Sequence, residues 1–306
     1  MNSNKSWQSH SGPCVDSKNG FEIIECAACE FKHIIPIPTQ EELDELYRRD
    51  YYTNEKPLFI ERNLEDQNWW RVVYDGRFDS FESLLETSNR NLLDIGSGPG
   101  FFLHRGKERG WNCVGIEPSA KAAEFSQGLG LEVRNEFLTK DTAKTLGTFD
   151  VVYMNEVLEH VPDPLEILKL AGGMLNPGGL LCVVVPNDFS PFQQALKEAC
   201  GFPSWWVSVP HHINYFDVSS IQTLIQRAGM NIVDTEATFP IDIFLLMGDN
   251  YVGNDELGRA CHGKRKTLEM NLDKAGLTDL KRSLYRSIAK LGIGREIQVI
   301  GRKDPN

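Results

Sequence analysis

The sequence predicts an α/β protein: a seven-stranded, doubly wound sheet with an N-terminal cap and a helical insertion before the last strand. Three observations carry this. From residue 91 onward, short apolar runs alternate with segments of helical periodicity. The runs are apolar at nearly every position, the pattern of strands buried on both faces of a parallel sheet. The first run, "NLLDI", leads into three glycines at alternate positions, Gly96, Gly98 and Gly100, as a tight loop opening a helix requires.

The elements follow in order. Up to about residue 37 the chain holds a β-like stretch, "FEIIE". "PTQEELDELYRR" starts a helix, with Thr39 and Glu42 as a capping box and Leu43, Leu46 and Tyr47 as its stripe. A second helical stretch, "NWWRVVYDGRFDSFESLLE", leads into the core. The strands are "NLLDI", "WNCVGIE", "LEVR", "FDVVYMN" and "LLCVVVP". Between them, Ser119 is placed to cap "AKAAEFSQ", which stops at Gly128, and Asp163 with Pro164 starts "LEILKLAGGML". "NPGG" makes the turn into the fifth strand. Asp217 caps a helix with stripe Ile221, Leu224 and Ile225, and "MNIVDTEATF" is the sixth strand. Residues 240–294 hold "LTDLKRSLYRSIAKLG", capped by Thr278, with stripe Leu280, Leu284 and Ile288 and a stop at Gly292. "REIQVIGRK" closes as the seventh strand.

Composition excludes several classes. At 306 residues with 41% hydrophobic and 25% charged residues, the chain is an ordinary globular protein rather than a disordered or fibrous one. No apolar run reaches membrane-spanning length, and "MNSNKSWQSHSGP" lacks the apolar core of a signal peptide, so a cytoplasmic location is expected. The seven cysteines are odd in number and sparse, which suits reduced thiols. From Arg259 to Lys303 there are 12 Lys and Arg against 4 Asp and Glu; the remaining residues carry 20 against 39. An acidic body repels a phosphate backbone, so a nucleic-acid partner is not expected. The basic tail fits a solvated helix face, an acidic small molecule or the acidic body itself.

The glycine-rich loop "LLDIGSGPGFF" leaves free backbone N–H groups at a helix start and room for a ligand. A dinucleotide fingerprint would want G-x-G-x-x-G, but Phe101 stands in the last place. Glu117, at the end of the second strand, suits ribose hydroxyls. The D-x-G-x-G-x-G form resembles the first motif of the class I S-adenosylmethionine-dependent methyltransferases. "VGIEPS", "FDVVYMNEVLEHVPDP" and "LNPGGLLCVVVP" resemble their second-, fourth- and fifth-strand motifs, and the likeness covers about residues 89–237 and the last strand. It extends to the ubiquinone-methyltransferase-like group of this class. The resemblance implies a Rossmann-like methyltransferase sheet and S-adenosylmethionine as cofactor. It places Asp94, Gly96, Ser97, Gly98 and Gly100 around the methionine part and sugar. Glu117 would hold the ribose hydroxyls, Glu136, Phe137 and Leu138 would lie near the adenine, and Asn155 by the methionine end.

"NEVLEHVPDP" holds Glu156, Glu159 and His160 at i, i+3 and i+4, which on a helix is one face. E-x-x-E-H with a distant histidine also resembles the divalent-metal site of small-RNA 2′-O-methyltransferases. His211 and His212 lie in "VPHHINYF" at the same sheet edge, so a divalent ion is one reading of this cluster. His160 or His212 as general base is another, and a plain pocket rim is the third.

In the cap, Cys26-x-x-Cys29 resembles the zinc knuckles that precede some sugar-modifying methyltransferases. Glu30 replaces the usual glycine, and upstream there is one cysteine, Cys14, instead of a pair, with His10 as the fourth ligand of the set. A metal-free β-rich cap is the alternative. The aromatic pairs Tyr51–Tyr52, Trp69–Trp70 and Trp205–Trp206 suit either an acceptor pocket or packing, and the last shares its loop with the histidines.

The expected organisation is a cap over residues 1–60, a core over 61–239 and 293–306, and an insertion or lid over 240–292. The expected activity is O- or C-methylation of a small-molecule acceptor: a sugar, a polysaccharide precursor or a phenol. A non-catalytic cofactor-binding partner or sensor and a nicotinamide-dependent oxidoreductase are the rivals.

Overall fold

The computed structural model describes residues 9–39, 42 and 58–305. Eleven strands among these form two sheets. The larger has seven strands in the order β10–β11–β8–β7–β4–β5–β6. Its members are β4 (Asn91–Ile95), β5 (Asn112–Ile116), β6 (Glu132–Arg134), β7 (Phe149–Asn155), β8 (Leu175–Pro186), β10 (Asn231–Ala237) and β11 (Glu296–Arg302). β4 to β8 run parallel; β11 pairs antiparallel with both β8 and β10.

The order reverses between β4 and β7. Successive connections there leave in opposite directions and open a crevice at the carboxyl ends of those strands. Neighbouring residues on each strand feed opposite faces. Leu93, Val152 and Val183 join the helix residues Leu168, Ile221 and Leu224 on one side. Leu92, Val151 and Val184 join Phe78, Phe81 and Phe102 on the other. Both layers are buried, which is why the strand sequences show no alternation.

The smaller sheet, order β1–β2–β3–β9, joins β1 (Cys14–Lys18), β2 (Phe21–Cys26) and β3 (Phe31–Ile35) of the cap to β9 (Asn214–Tyr215), from the loop after β8. Trp206 is buried in its core among Ile23, Ile34 and Tyr215, with Trp205 packed on the edge.

Between β10 and β11 lie helices Ile243–Leu246, Asp255–Lys274 and Thr278–Leu291. The second packs on helix Gln67–Leu84. There the Glu269 carboxylate accepts hydrogen bonds from Trp69 Nε1 and Tyr285 Oη, and Arg265 Nε donates to it at 3.1 Å. The basic tail meets the acidic body. Arg282 and Arg286 pair with Asp234 and Glu236, Lys266 with Asp66, and Arg302 with Glu86. Among the described residues no helix is long and apolar enough to cross a membrane.

Several local expectations hold. Thr39 and Glu42 form the capping box, at 2.8 and 3.3 Å, while Leu43, Leu46, Tyr47, Tyr51 and Tyr52 lie outside the described residues. Asp163 and Asp217 cap their helices, accepting from the Glu166 and Ser220 N–H groups.

Others need correction. "NPGG" lies within β8 as an irregularity: pairing jumps from Phe149–Leu175 to Val151–Leu180. Ser119 makes no side-chain cap; its N–H instead donates to the Glu117 carboxylate. Thr278 is the first helical residue, not the cap, and that helix buries Lys281, Tyr285, Ile288 and Ala289. Leu280 and Leu284 face solvent at 58% and 45% exposure, because the helix is rotated to bring Tyr285 against Glu269.

Candidate active site

A cavity of about 1090 Å3 opens along the carboxyl edge of the large sheet at the β4–β7 switch point. Asp94, Gly96, Ser97, Gly98, Glu117, Glu136, Phe137 and Asn155 all line it. Gly100 does not. Its φ is +77°, and a Cβ there would stand 2.7 Å from Leu131 Cδ1 and 2.9 Å from Ser126 Oγ. Glycine at this position lets the helix pack against Leu131 and Ser126. Gly100→Ala is expected to lower stability by about 1–3 kcal/mol through strain and overpacking, read as a fall in the thermal midpoint.

The loop is built to receive a ligand. Gly96 and Gly98 have φ of +74° and +53°. A Cβ on Gly96 would meet Val157 Cγ2 at 2.7 Å. The Ser97 hydroxyl is buried and has no hydrogen-bond partner among the described residues, a polar atom that a ligand would satisfy. Glu117 is 4% exposed, its two oxygens held by the N–H groups of Gly98 (2.8 Å) and Ser119 (2.7 Å). Each oxygen keeps a further lone pair for a ligand hydroxyl.

The electrostatics select the ligand's charge. Burial pushes Glu117 up to about 7, against the pull of those two N–H bonds. Burial, with Glu117 adding to it, pushes Asp94 up to about 8, and Arg77 opposes the shift. A cationic ligand favours the ionised forms of these two buried carboxyls, whereas a pyrophosphate would be opposed by them. S-adenosylmethionine, with its sulfonium, ammonium and ribose diol, fits this donor set; a nicotinamide dinucleotide fits it poorly.

These shifts fix a pH dependence. Both carboxyls hold protons in the folded state at pH values where the unfolded chain, with ordinary values of 3.8 and 4.5, has lost them. Their contribution to stability therefore falls as pH rises from about 4 to about 8. A ligand that needs the ionised forms relieves this cost. The rise in thermal midpoint on saturation with S-adenosylmethionine is expected to be larger near pH 8 than near pH 6, with proton release on binding.

Sequence reasoning missed Arg77. It is buried on helix Gln67–Leu84 with its guanidinium over the Tyr153 ring, and Nη1 donates to Tyr153 Oη. Tyr153 Oη in turn donates to Asn155 Oδ1 at 3.2 Å. Among the described residues no carboxylate forms an ion pair with Arg77, although it lines the cavity, so it is placed to meet a ligand carboxylate. The signal was available: Tyr74, Arg77, Phe78 and Phe81 follow helical spacing, which sets an arginine within the buried stripe.

At the other end the cavity is lined by Trp69, Trp70 and Tyr74, and by His262 and Arg265 of the insertion. Trp69–Trp70 is therefore the pocket pair. Trp205–Trp206 is packing in the cap.

Glu156, Glu159 and His160 do not share a helix face. Glu156 follows β7 in a left-handed conformation, φ +54°, and lines the cavity. Glu159 and His160 sit on a 3-10 turn, Leu158–His160; Glu159 is 1% exposed and turned inward, and His160 lines the cavity. His160 Nδ1 faces the His211 carbonyl at 2.8 Å and so carries the proton, which leaves Nε2 as the basic nitrogen. Nε2 is 3.8 Å from Glu159 Oε1. The His212 ring stands edge-on to His160, 4.9 Å between centroids, and is not part of the cavity wall. Donor atoms of Glu159, His160 and His212 lie within 4.8 Å of one another, while Glu156 and His211 stand outside this group.

The backbone explains this convergence. Ile213 N–H donates to the Glu159 carbonyl at 2.7 Å, and Asn214 Nδ2 donates to the Leu158 and Val161 carbonyls at 2.8 Å each. The loop after β8 is thereby stitched to the loop after β7.

The reversed strand order, a glycine loop at the switch point and an acid at the end of the neighbouring strand define a nucleoside-cofactor α/β protein. Comparison with known proteins gives the family. The family model for the methyltransferase domain matches residues 71–235, and the chain belongs to the class I S-adenosylmethionine-dependent methyltransferases. It is 32% identical over 151 residues to the ubiquinone biosynthesis O-methyltransferase of Cereibacter sphaeroides, covering 47% of this chain and 61% of that protein. It is 29% identical over 144 residues to the protein of that name from Ralstonia nicotianae, covering 42% and 60%. The chain thus spans about three-fifths of the length of these relatives. A SAM-dependent methyltransferase from Archaeoglobus fulgidus shares the fold, with TM-score 0.51 and 18% identity over 83% of this chain and 100% of that one.

Proposed function

We propose that the protein transfers the methyl group of S-adenosylmethionine to a hydroxyl of a small aromatic or sugar-like acceptor. The observation that carries this reading is that one cavity joins the anionic cofactor crevice to an aromatic chamber. Glu117 would accept the ribose hydroxyls, Asp94 would face the cationic methionine end, and Arg77 would hold its carboxylate. The bound cofactor supplies an electrophilic methyl group. The chain's own residues place the acceptor oxygen in line and exclude water. His160 Nε2 would take the hydroxyl proton, and Glu159 is placed to stabilise the imidazolium that forms. His212, behind His160, is a positioning residue. The relatives named as ubiquinone biosynthesis O-methyltransferases support a phenolic acceptor. Release of S-adenosylhomocysteine on incubation with catechol-type phenols, and none with any hydroxylated small molecule in a broad panel, are the supporting and opposing results.

The clustering of Glu159, His160 and His212 favours a second reading, in which the three hold a divalent ion. Two imidazoles and a carboxylate suit such an ion, which would supply Lewis acidity to the acceptor hydroxyl. Added Mg2+ or Mn2+ leaves turnover unchanged in the base reading and raises it in the metal reading.

A further inference from the structure

A second cluster of donor atoms lies outside the cavity wall, in the cap. His10, Cys26, Cys29 and His33 place one donor atom each within 4.8 Å of all the others. His10 Nδ1 is 3.0 Å from His33 Nε2, 3.2 Å from Cys29 Sγ and 3.7 Å from Cys26 Sγ. One ring nitrogen offers a single proton or a single lone pair and cannot serve three partners by hydrogen bonding. One cation at the centre serves all four.

The dimensions agree. Zinc bonds of about 2.3 Å to sulfur and 2.0–2.1 Å to nitrogen, at tetrahedral angles, separate ligand atoms by about 3.3 Å (N to N) and about 3.6 Å (N to S). The nitrogen of His33 is already selected. Its Nδ1 donates to the Ile34 carbonyl at 2.9 Å, which leaves Nε2 as the lone pair facing the cluster. The knuckle turn between the cysteines is also formed. Glu30 N–H donates to the Cys26 carbonyl at 2.9 Å, and Glu30 takes the left-handed conformation, φ +64°, that glycine usually supplies. Cys14 is excluded: it is exposed, and its Sγ approaches the Asp16 carbonyl at 3.2 Å.

We propose that the cap holds a structural zinc ion through His10 Nδ1, Cys26 Sγ, Cys29 Sγ and His33 Nε2, and that this ion anchors the active-site histidine loop. The two thiols give their protons to solvent on binding, so Zn2+ and two thiolates form a neutral site. Four protein ligands close the coordination shell, which makes the ion structural rather than catalytic. Its reach to the active site is short. His33 pairs with Asn214 across β3 and β9, and Ile34 N–H donates to the Ile213 carbonyl at 2.9 Å. Asn214 clamps the turn that carries Glu159 and His160. On the other side, Arg227 Nη1 donates to the Cys29 carbonyl at 2.7 Å and ties the knuckle to the core helix Val218–Arg227.

Metal analysis of the purified full chain, reconstituted with Zn2+ and gel-filtered, tests this without any assay of activity. One zinc per chain is expected for wild type and for Cys14→Ser, with a loss to below about a tenth of an equivalent in Cys29→Ser and His33→Ala. Wild type stripped by chelator and reloaded with Co2+ is expected to show the visible bands of a tetrahedral thiolate site, which keeps the test valid if a variant fails to fold. Amide exchange in residues 158–161 and 211–215 is expected to quicken when the metal is removed from wild type. Reconstituted wild type with less than about a tenth of an equivalent and no cobalt spectrum overturns the site. Stoichiometric zinc with unchanged exchange in those two segments overturns the anchoring.

Discussion

Glu117→Gln is expected to weaken S-adenosylmethionine binding by at least about 100-fold, since two hydrogen bonds to a charged acceptor, at about 1.5–3 kcal/mol each, are at stake. The substitution keeps size and shape. It replaces one oxygen by an amide that can only donate, yet both oxygens already receive N–H groups, from Gly98 and Ser119. The amide thus turns a donor toward a donor and removes charge where the ribose hydroxyls must donate. A smaller second effect follows at Asp94. With Glu117 neutral, one of the influences raising Asp94 is gone, and the pH dependence of ligand stabilisation should flatten. Calorimetric titration measures both. An unchanged dissociation constant would remove Glu117 from the cofactor site.

His160→Ala is expected to cut the turnover number by about 10²–10⁴-fold while the cofactor dissociation constant changes little, as removal of a general base does. The ring is fixed by the His211 carbonyl at Nδ1, so the variant deletes an imidazole whose lone pair is on Nε2. His212→Ala should act through the His160 ring it abuts, with a smaller loss of turnover and a displaced pH–rate profile. If His160→Ala retained wild-type turnover with every acceptor, alignment alone would account for the chemistry and the cluster would be a pocket rim.

The parts legible in the sequence were local. β4 to β8, the glycine loop and Glu117 each belong to short segments whose pattern states their purpose, and the structure puts them where that pattern implied. The rest is made between distant segments. Arg77 reaches Tyr153, Arg265 packs over Trp69, and His10 meets Cys26, Cys29 and His33 only after three cap strands have paired. Helical spacing places Arg77 in a buried stripe, but no periodicity names the partners in these contacts. The same limit explains the misread helix Thr278–Leu291. Its leucines suggested the buried face, but a hydrogen bond from Tyr285 to Glu269, on another helix, sets its rotation. "NEVLEHVPDP" was misleading for a related reason. Its i, i+3, i+4 spacing implies a helix, whereas the strand ends at Asn155 and Glu156 turns the chain through a left-handed conformation.

The proposed chemistry rests on S-adenosylmethionine binding in the crevice between β4 and β7. Isothermal titration of the wild-type chain with S-adenosylmethionine, and separately with NAD, tests it most directly. Saturable binding of one S-adenosylmethionine per chain, with proton release near neutral pH and no heat from NAD, is the expected result. Binding of NAD with no heat from S-adenosylmethionine would remove S-adenosylmethionine from this crevice.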